Sequence, residues 1–214
     1  MKHDAALLVI DVQNAFVQGG SMPVPNGLEV IPVINRLMPL FSHVILTQDW
    51  HPLGHHSFAS SHANKQPFQT TQLFYGEQVL WPDHCVQGSA DAQLHADLDT
   101  QAATMILKKG LDPAVDSYSA FVHADRVSKT GLSGFLKERK VSTVYVCGLA
   151  TDFCVAWTAL DACEAGFTTY VIEDACQAID LNGSLDAAWQ AMIAKGVHRT
   201  SAQAVRDARA ANKA

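Results

Sequence analysis

Asp49 and His51 stand two residues apart in Thr47-Gln48-Asp49-Trp50-His51-Pro52. In an extended chain, residues i and i+2 project to the same side. The carboxylate and the imidazole can then reach one ion while Trp50 faces away. A third ligand is available in His84, within Trp81-Pro82-Asp83-His84-Cys85. One oxygen and two nitrogen donors suit zinc, iron or manganese, with positions left for water or substrate. The competing reading makes Asp49 a turn cap and the histidines packed or surface residues. Histidine density favours the metal, because five of the ten histidines fall between 51 and 84. His55, His56 and His62 are weaker candidates, suited to supporting the ligands or to the surface.

A second chemistry is carried by Cys154, near the start of a helical stretch. A helix N-terminus stabilises a thiolate and lowers the thiol pKa, and its free N–H groups can hold an oxyanion. Alone, such a cysteine is more often a small apolar core residue. Asp11 ends an apolar run and Lys109 precedes Gly110, so each alone reads as a cap or a turn. At one sheet edge, the three make an acid/base, a cation and a nucleophile. Lys109 would there stabilise both the thiolate and an ionised Asp11.

The elements must bring these residues together. Apolar runs predict strands at Ala5–Ile10, His43–Gln48, about Ala103–Lys108, Ser142–Cys147 and Phe167–Ile172, with a short one near Thr200. Helical patterns run from Asn26-Gly27 to Phe41, over Gly131–Lys140, over Thr151–Ala165, from a Ser184 cap to about Gly196, and over Ala202–Ala211. Residues 49 to about 88 show little periodicity. Strands alternating with helices predict a three-layer α/β/α fold with a parallel sheet covered on both faces. No repeat or linker divides the chain, so one domain over residues 1–214 is expected. Sites in such sheets form beyond the carboxyl ends of the strands, where Asp11, Asp49, Lys109 and Cys154 would all fall.

Composition limits the partners. The 214 residues are 48% hydrophobic and 17% charged, with a net charge of −6. Disorder is excluded. A nucleic-acid or anionic-membrane surface would need a basic excess that is lacking, so a small or neutral substrate is expected. No apolar stretch has the length of a membrane span, and no secretory pattern is visible, so a cytoplasmic protein is expected. Five cysteines form no disulfide framework and read as reduced, mostly buried thiols. Monomer and homo-oligomer both stay open.

The motifs, taken together, resemble those of the nicotinamidases (pyrazinamidases) of the isochorismatase-like cysteine hydrolases. Asp11-Val12-Gln13-Asn14-Ala15-Phe16 with Gly19-Gly20-Ser21 is similar to their first signature. The Thr47–Pro52 segment with His55 and Ser57-Phe58 resembles their metal segment, and Trp81–Gly88 the one after it. Lys109-Gly110 with Asp116-Ser117-Tyr118-Ser119-Ala120-Phe121 resembles the lysine segment, and Gly148–Val155 the nucleophile segment. The set runs in family order from residue 7 to about 175, and beyond that the resemblance carries no function.

The resemblance implies a six-stranded parallel sheet, a triad of Asp11, Lys109 and Cys154, and one divalent ion (zinc, iron or manganese) on Asp49, His51 and His84. A fourth ligand would be His55, His56 or water. It further implies nicotinamide as substrate, with the pyridine nitrogen on the metal and the ring near Phe16 and Trp81. A non-proline cis peptide at Leu149–Ala150 is expected, with the Ala150 and Cys154 N–H groups as the oxyanion hole. Pyrazinamide is implied as a second substrate, and NAD salvage as the setting. Ala15 departs from the aspartate common in the family. Three rivals are a metal-free relative acting on another small amide, a metal-water hydrolase with a structural Cys154, and a non-catalytic binding protein.

Overall fold

The computed structural model describes residues 4–211. Residues 1–3 and 212–214, at the two ends of the expected domain, lie outside the described residues. Six parallel strands form one sheet: β1 (Ala5–Ile10), β2 (His43–Asp49), β5 (Met105–Lys109), β6 (Thr143–Leu149), β7 (Thr168–Gln177) and β8 (His198–Thr200). Their order is β5-β2-β1-β6-β7-β8. β1 lies at the centre, and all six of its residues are buried, as a strand covered on both faces requires. Helices α1 (Val30–Leu37) and α5 (Ala202–Ala211) pack together over the sheet. α3 (Ala156–Glu164) and α4 (Ser184–Lys195) form a second pair, and α2 (Leu132–Glu138) precedes β6. No described helix is long and apolar enough to cross a membrane.

Most elements fall where the apolar pattern places them, with four differences. β6 and β7 run on to Leu149 and Gln177, past the expected Cys147 and Ile172. Their register shifts between Val146 and Gly148, and Gly148 in β6 and Glu173-Asp174 in β7 break the apolar run that marks a strand. The stretch 49–88 holds an antiparallel hairpin, β3 (Thr70–Leu73) and β4 (Gly76–Val79). Its strands are four residues each, too short for a periodic signal. The helix expected from 151 begins as a wide π turn over Thr151–Val155. Ser184 is not the cap of α4: Gly183 holds that position at φ 84, and the Ser184 hydroxyl is turned elsewhere.

One glycine is set by the sheet itself. At Gly148, φ is 114, and a Cβ would lie 2.2 Å from the Ile10 carbonyl oxygen. Only glycine lets β6 pass so close to β1 just before the segment carrying Cys154.

Candidate active site

Asp11, Asp49 and Lys109 sit at or just past the carboxyl ends of β1, β2 and β5, three adjacent strands. Lys109 is fully buried at the junction. Its Nζ donates to Asp49 Oδ1 at 2.5 Å and to the Ser117 carbonyl at 2.8 Å. It lies 2.8 Å from Asp11 Oδ2 and 3.6 Å from Cys154 Sγ. Asp11 adopts φ 49. Its N–H donates to Thr47 Oγ1 at 3.0 Å, and the Thr47 hydroxyl donates back to Oδ1 at 2.6 Å. The structure thus places the acid, the cation and the thiol in mutual contact.

Burial dominates the electrostatics. It raises Asp11 to a pKa of about 6, outweighing the attraction of Lys109, and the neighbouring Asp49 charge adds to the rise. Burial opposes the ionisation of Asp49 too. There Lys109 and His51 win, holding the carboxyl well below the usual range. Burial works against the Lys109 ammonium, but Asp11 and Asp49 together push its pKa well above normal. The Cys154 thiol is pushed well up by burial, with Lys109 countering only in part. This corrects the expectation of a helix-stabilised thiolate. Desolvation outweighs the field at the helix start, and Lys109, 3.6 Å from the sulfur, is the group that favours the thiolate.

On the other wall, Asp49, His51 and His84 turn donor atoms towards a common point, all within 4.8 Å of one another. His51 Nε2 and His84 Nε2 lie 3.8 and 3.9 Å from Asp49 Oδ2. The far ring nitrogens are anchored: His51 Nδ1 meets the Gly110 carbonyl at 3.1 Å, and His84 Nδ1 the Pro82 carbonyl at 2.8 Å. A carbonyl accepts only, so each Nδ1 carries a proton. Burial opposes a charge on His51, but Asp49 beside Nε2 outweighs it and raises the His51 pKa, so a bound cation would displace a proton there. His84 Nε2 already presents a lone pair. Burial and the neighbouring His51 keep His84 neutral, with a pKa of about 4. The donor set therefore fits a divalent cation. His55 is buried with its ring 4.4 Å from His51, and its donor atom groups with His51 and Asp116. His56 is exposed and packs towards His62.

A pocket of about 370 Å³, its mouth included, joins the two walls. Phe16 and Trp81 line it, and Ala150 and Cys154 lie beside them. The Leu149–Ala150 peptide is cis. Five further pocket residues carry no role in the sequence reading: Met22, Asp116, Tyr118, Phe153 and Ile179. Phe153 meets Trp81 edge-on at 4.8 Å, and Trp81 Nε1 donates to Tyr118 Oη at 2.9 Å. Gln78, from the unforeseen hairpin, donates to Tyr118 Oη at 2.9 Å and to Asp116 Oδ2 at 2.7 Å. Gln13 clamps Asp49: its amide accepts from the Asp49 N–H at 2.8 Å and donates to the Asp49 carbonyl at 2.9 Å. Tyr118, Phe153 and Gln13 stand inside recognised motifs, which was their only signal. Ile179 lies past residue 175, where function was not expected, and Gln78 has no sequence signal at all.

Residues 5–204 match the Isochorismatase domain model. The nicotinamidase of Acinetobacter baylyi is 57% identical over 201 residues, 94% of each chain. The solved structure of an Acinetobacter baumanii nicotinamidase and pyrazinamidase superposes with a TM-score of 0.94 at 56% identity, covering 95% of this chain and 98% of that one. The pyrazinamidase of Pyrococcus horikoshii, in complex with zinc, gives a TM-score of 0.74 at 32% identity over 92% and 99% of the two chains.

Proposed function

Because this chain belongs to the isochorismatase family, we propose that it is a nicotinamidase, hydrolysing nicotinamide to nicotinate and ammonia through a cysteine thioester. The observation that carries this is the position of Lys109 Nζ, in contact with Asp11, Asp49 and Cys154 at once. Nucleophile and ligand set thus open on one aromatic pocket. Asp49, His51 and His84 would hold a divalent ion, which supplies a Lewis-acid anchor for the pyridine nitrogen. Zinc is the ion found with the Pyrococcus horikoshii relative.

The protein's own residues carry the rest. Phe16, Trp81, Tyr118 and Phe153 hold the ring and keep water away. With the ring fixed, attack on the carboxamide becomes intramolecular. Asp11, ionised above a pH of about 6, takes the proton from Cys154 Sγ. The sulfur adds to the carboxamide carbon, and the Ala150 and Cys154 N–H groups take the oxyanion. Collapse breaks the C–N bond, and Asp11 returns its proton to the departing ammonia. A water then loses a proton to Asp11 and attacks the thioester. The C–S bond breaks, nicotinate leaves, and the sulfur recovers the proton. Lys109 stays charged throughout, stabilising the thiolate and the ionised acid. Pyrazinamide presents the same ring nitrogen and carboxamide and is proposed as a second substrate.

The test is ammonia release from nicotinamide, with intact-protein mass spectrometry after rapid acid quench to trap the acyl-enzyme. Cys154→Ala should lose turnover by at least about 10⁴-fold while still binding nicotinamide. Near-normal turnover in that variant would refute the covalent route.

A further inference from the structure

Asp152 is buried, two residues before the nucleophile, yet its hydrogen bonds reach none of the reacting groups. All three go to a segment beyond β7. The Ile179 N–H donates to Oδ1 at 3.1 Å, the Asp180 N–H to Oδ2 at 2.8 Å and the Ser184 hydroxyl to Oδ2 at 2.5 Å. Both carboxylate oxygens are spent on this one segment. The segment needs such support, because Asp180 and Asn182 both adopt φ 53 and Gly183 φ 84. Left-handed backbone is unfavourable for residues other than glycine, less so for Asp and Asn, and the Asp152 contacts help to hold three left-handed residues within four positions here. What the segment delivers is Ile179, whose side chain lines the pocket with Phe16, Met22, Phe153 and Cys154. Cys154 keeps only 7% of its surface exposed beneath them.

We propose that Ile179 is a specificity-determining residue, limiting the size of ring that reaches Cys154, and that Asp152 is the positioning residue that holds it there through segment 179–184. The part concerning ring size rests on the nicotinamidase reading. An aliphatic side chain at this wall excludes substituents by volume alone, so shortening it should admit a methyl group on the ring. Asp152 acts only through the segment it grips. Loosening that grip should admit larger rings and other reagents alike.

Two measurements test this on the metal-loaded enzyme. The first compares kcat/KM for 5-methylnicotinamide and nicotinamide. Ile179→Ala should raise the ratio roughly tenfold or more, the discrimination one methyl group supplies in an apolar pocket. A ratio within about twofold of wild type would overturn the assignment of Ile179. The second measures alkylation of Cys154 by iodoacetamide, located by peptide mass spectrometry, well below the melting temperature. Asp152→Asn should speed it roughly tenfold and Ser184→Ala a few-fold, as expected for loss of charge-assisted hydrogen bonds. A purely structural role would lower the melting temperature and leave the alkylation rate and the substrate ratio unchanged, overturning the role of Asp152. Should Asp152→Asn fail to fold, Ser184→Ala decides the same point. If the wild-type enzyme hydrolyses neither amide, the nicotinamidase reading fails. The alkylation arm uses no substrate and still decides whether Asp152 holds the wall.

Discussion

Gly110 follows Lys109 directly, and its carbonyl accepts from His51 Nδ1. It adopts φ 68, and a Cβ there would lie 2.4 Å from His51 Cε1 and 2.5 Å from Nδ1. Gly110→Ala therefore does two things. It places an L-residue in left-handed backbone, costing about 1–2 kcal/mol. It also drives the His51 ring away, since carbon atoms settle at about 3.5 Å or more. The required shift is about 1 Å, against a tolerance of about 0.2 Å in a metal–ligand distance. The 3.1 Å anchor from Nδ1 is disturbed as well. Loss of such an outer anchor lowers metal affinity about 10–100-fold, or about 1.4–2.7 kcal/mol. Gly54 supplies the control: it adopts φ 75, but a Cβ added there would meet nothing within 4 Å. Gly54→Ala should share the backbone cost and leave metal affinity alone. The assay is zinc competition against a chromophoric chelator, with thermal unfolding of the chelated proteins alongside. Equal zinc affinity in Gly110→Ala and Gly54→Ala, with both folded, would refute the reasoning.

Asp11 makes stability depend on pH in an unusual direction. Its folded pKa of about 6 lies above the unfolded 3.8, so the folded state keeps the proton between these values while the unfolded state loses it. The stability contributed by this group is present below about pH 4 and is lost as pH rises to about 6, by about 3 kcal/mol. Asp11→Asn, which cannot ionise, should gain about that much relative to wild type between pH 4 and 7, in urea unfolding of chelated protein. A constant difference across that range would disprove it. Lys109→Met leaves two carboxylates buried without their cation and should cost about 3–5 kcal/mol, read as a lowered urea midpoint. Gln78→Ala removes the amide linking Asp116 and Tyr118, so nicotinamide KM should rise several-fold with kcat less affected. An unchanged KM would show that the hairpin does not set the aromatic wall.

Much of the site was legible along the chain because its signals are local. A buried strand is written as an apolar run, and the residue at its end sits at the sheet edge by topology alone. That logic put Asp11, Asp49, Lys109 and Cys154 at one edge, and the alternation in Asp49-Trp50-His51 put a carboxylate and an imidazole on one side. Packing decided the rest. The Cys154 thiol pKa is pushed up because desolvation depends on everything folded around it, which no spacing encodes. His55 turns in against His51 and Phe58, and its neighbour His56 turns out beside His62. Gln78 braces the pocket residues Tyr118 and Asp116 from a short hairpin, and Ile179 lines the pocket beside a left-handed turn; both patterns are too brief to read. Periodicity records what one element buries. The charge state of a buried group and the closing of a pocket wall depend on contacts between residues far apart in the chain, and these exist only once it has folded.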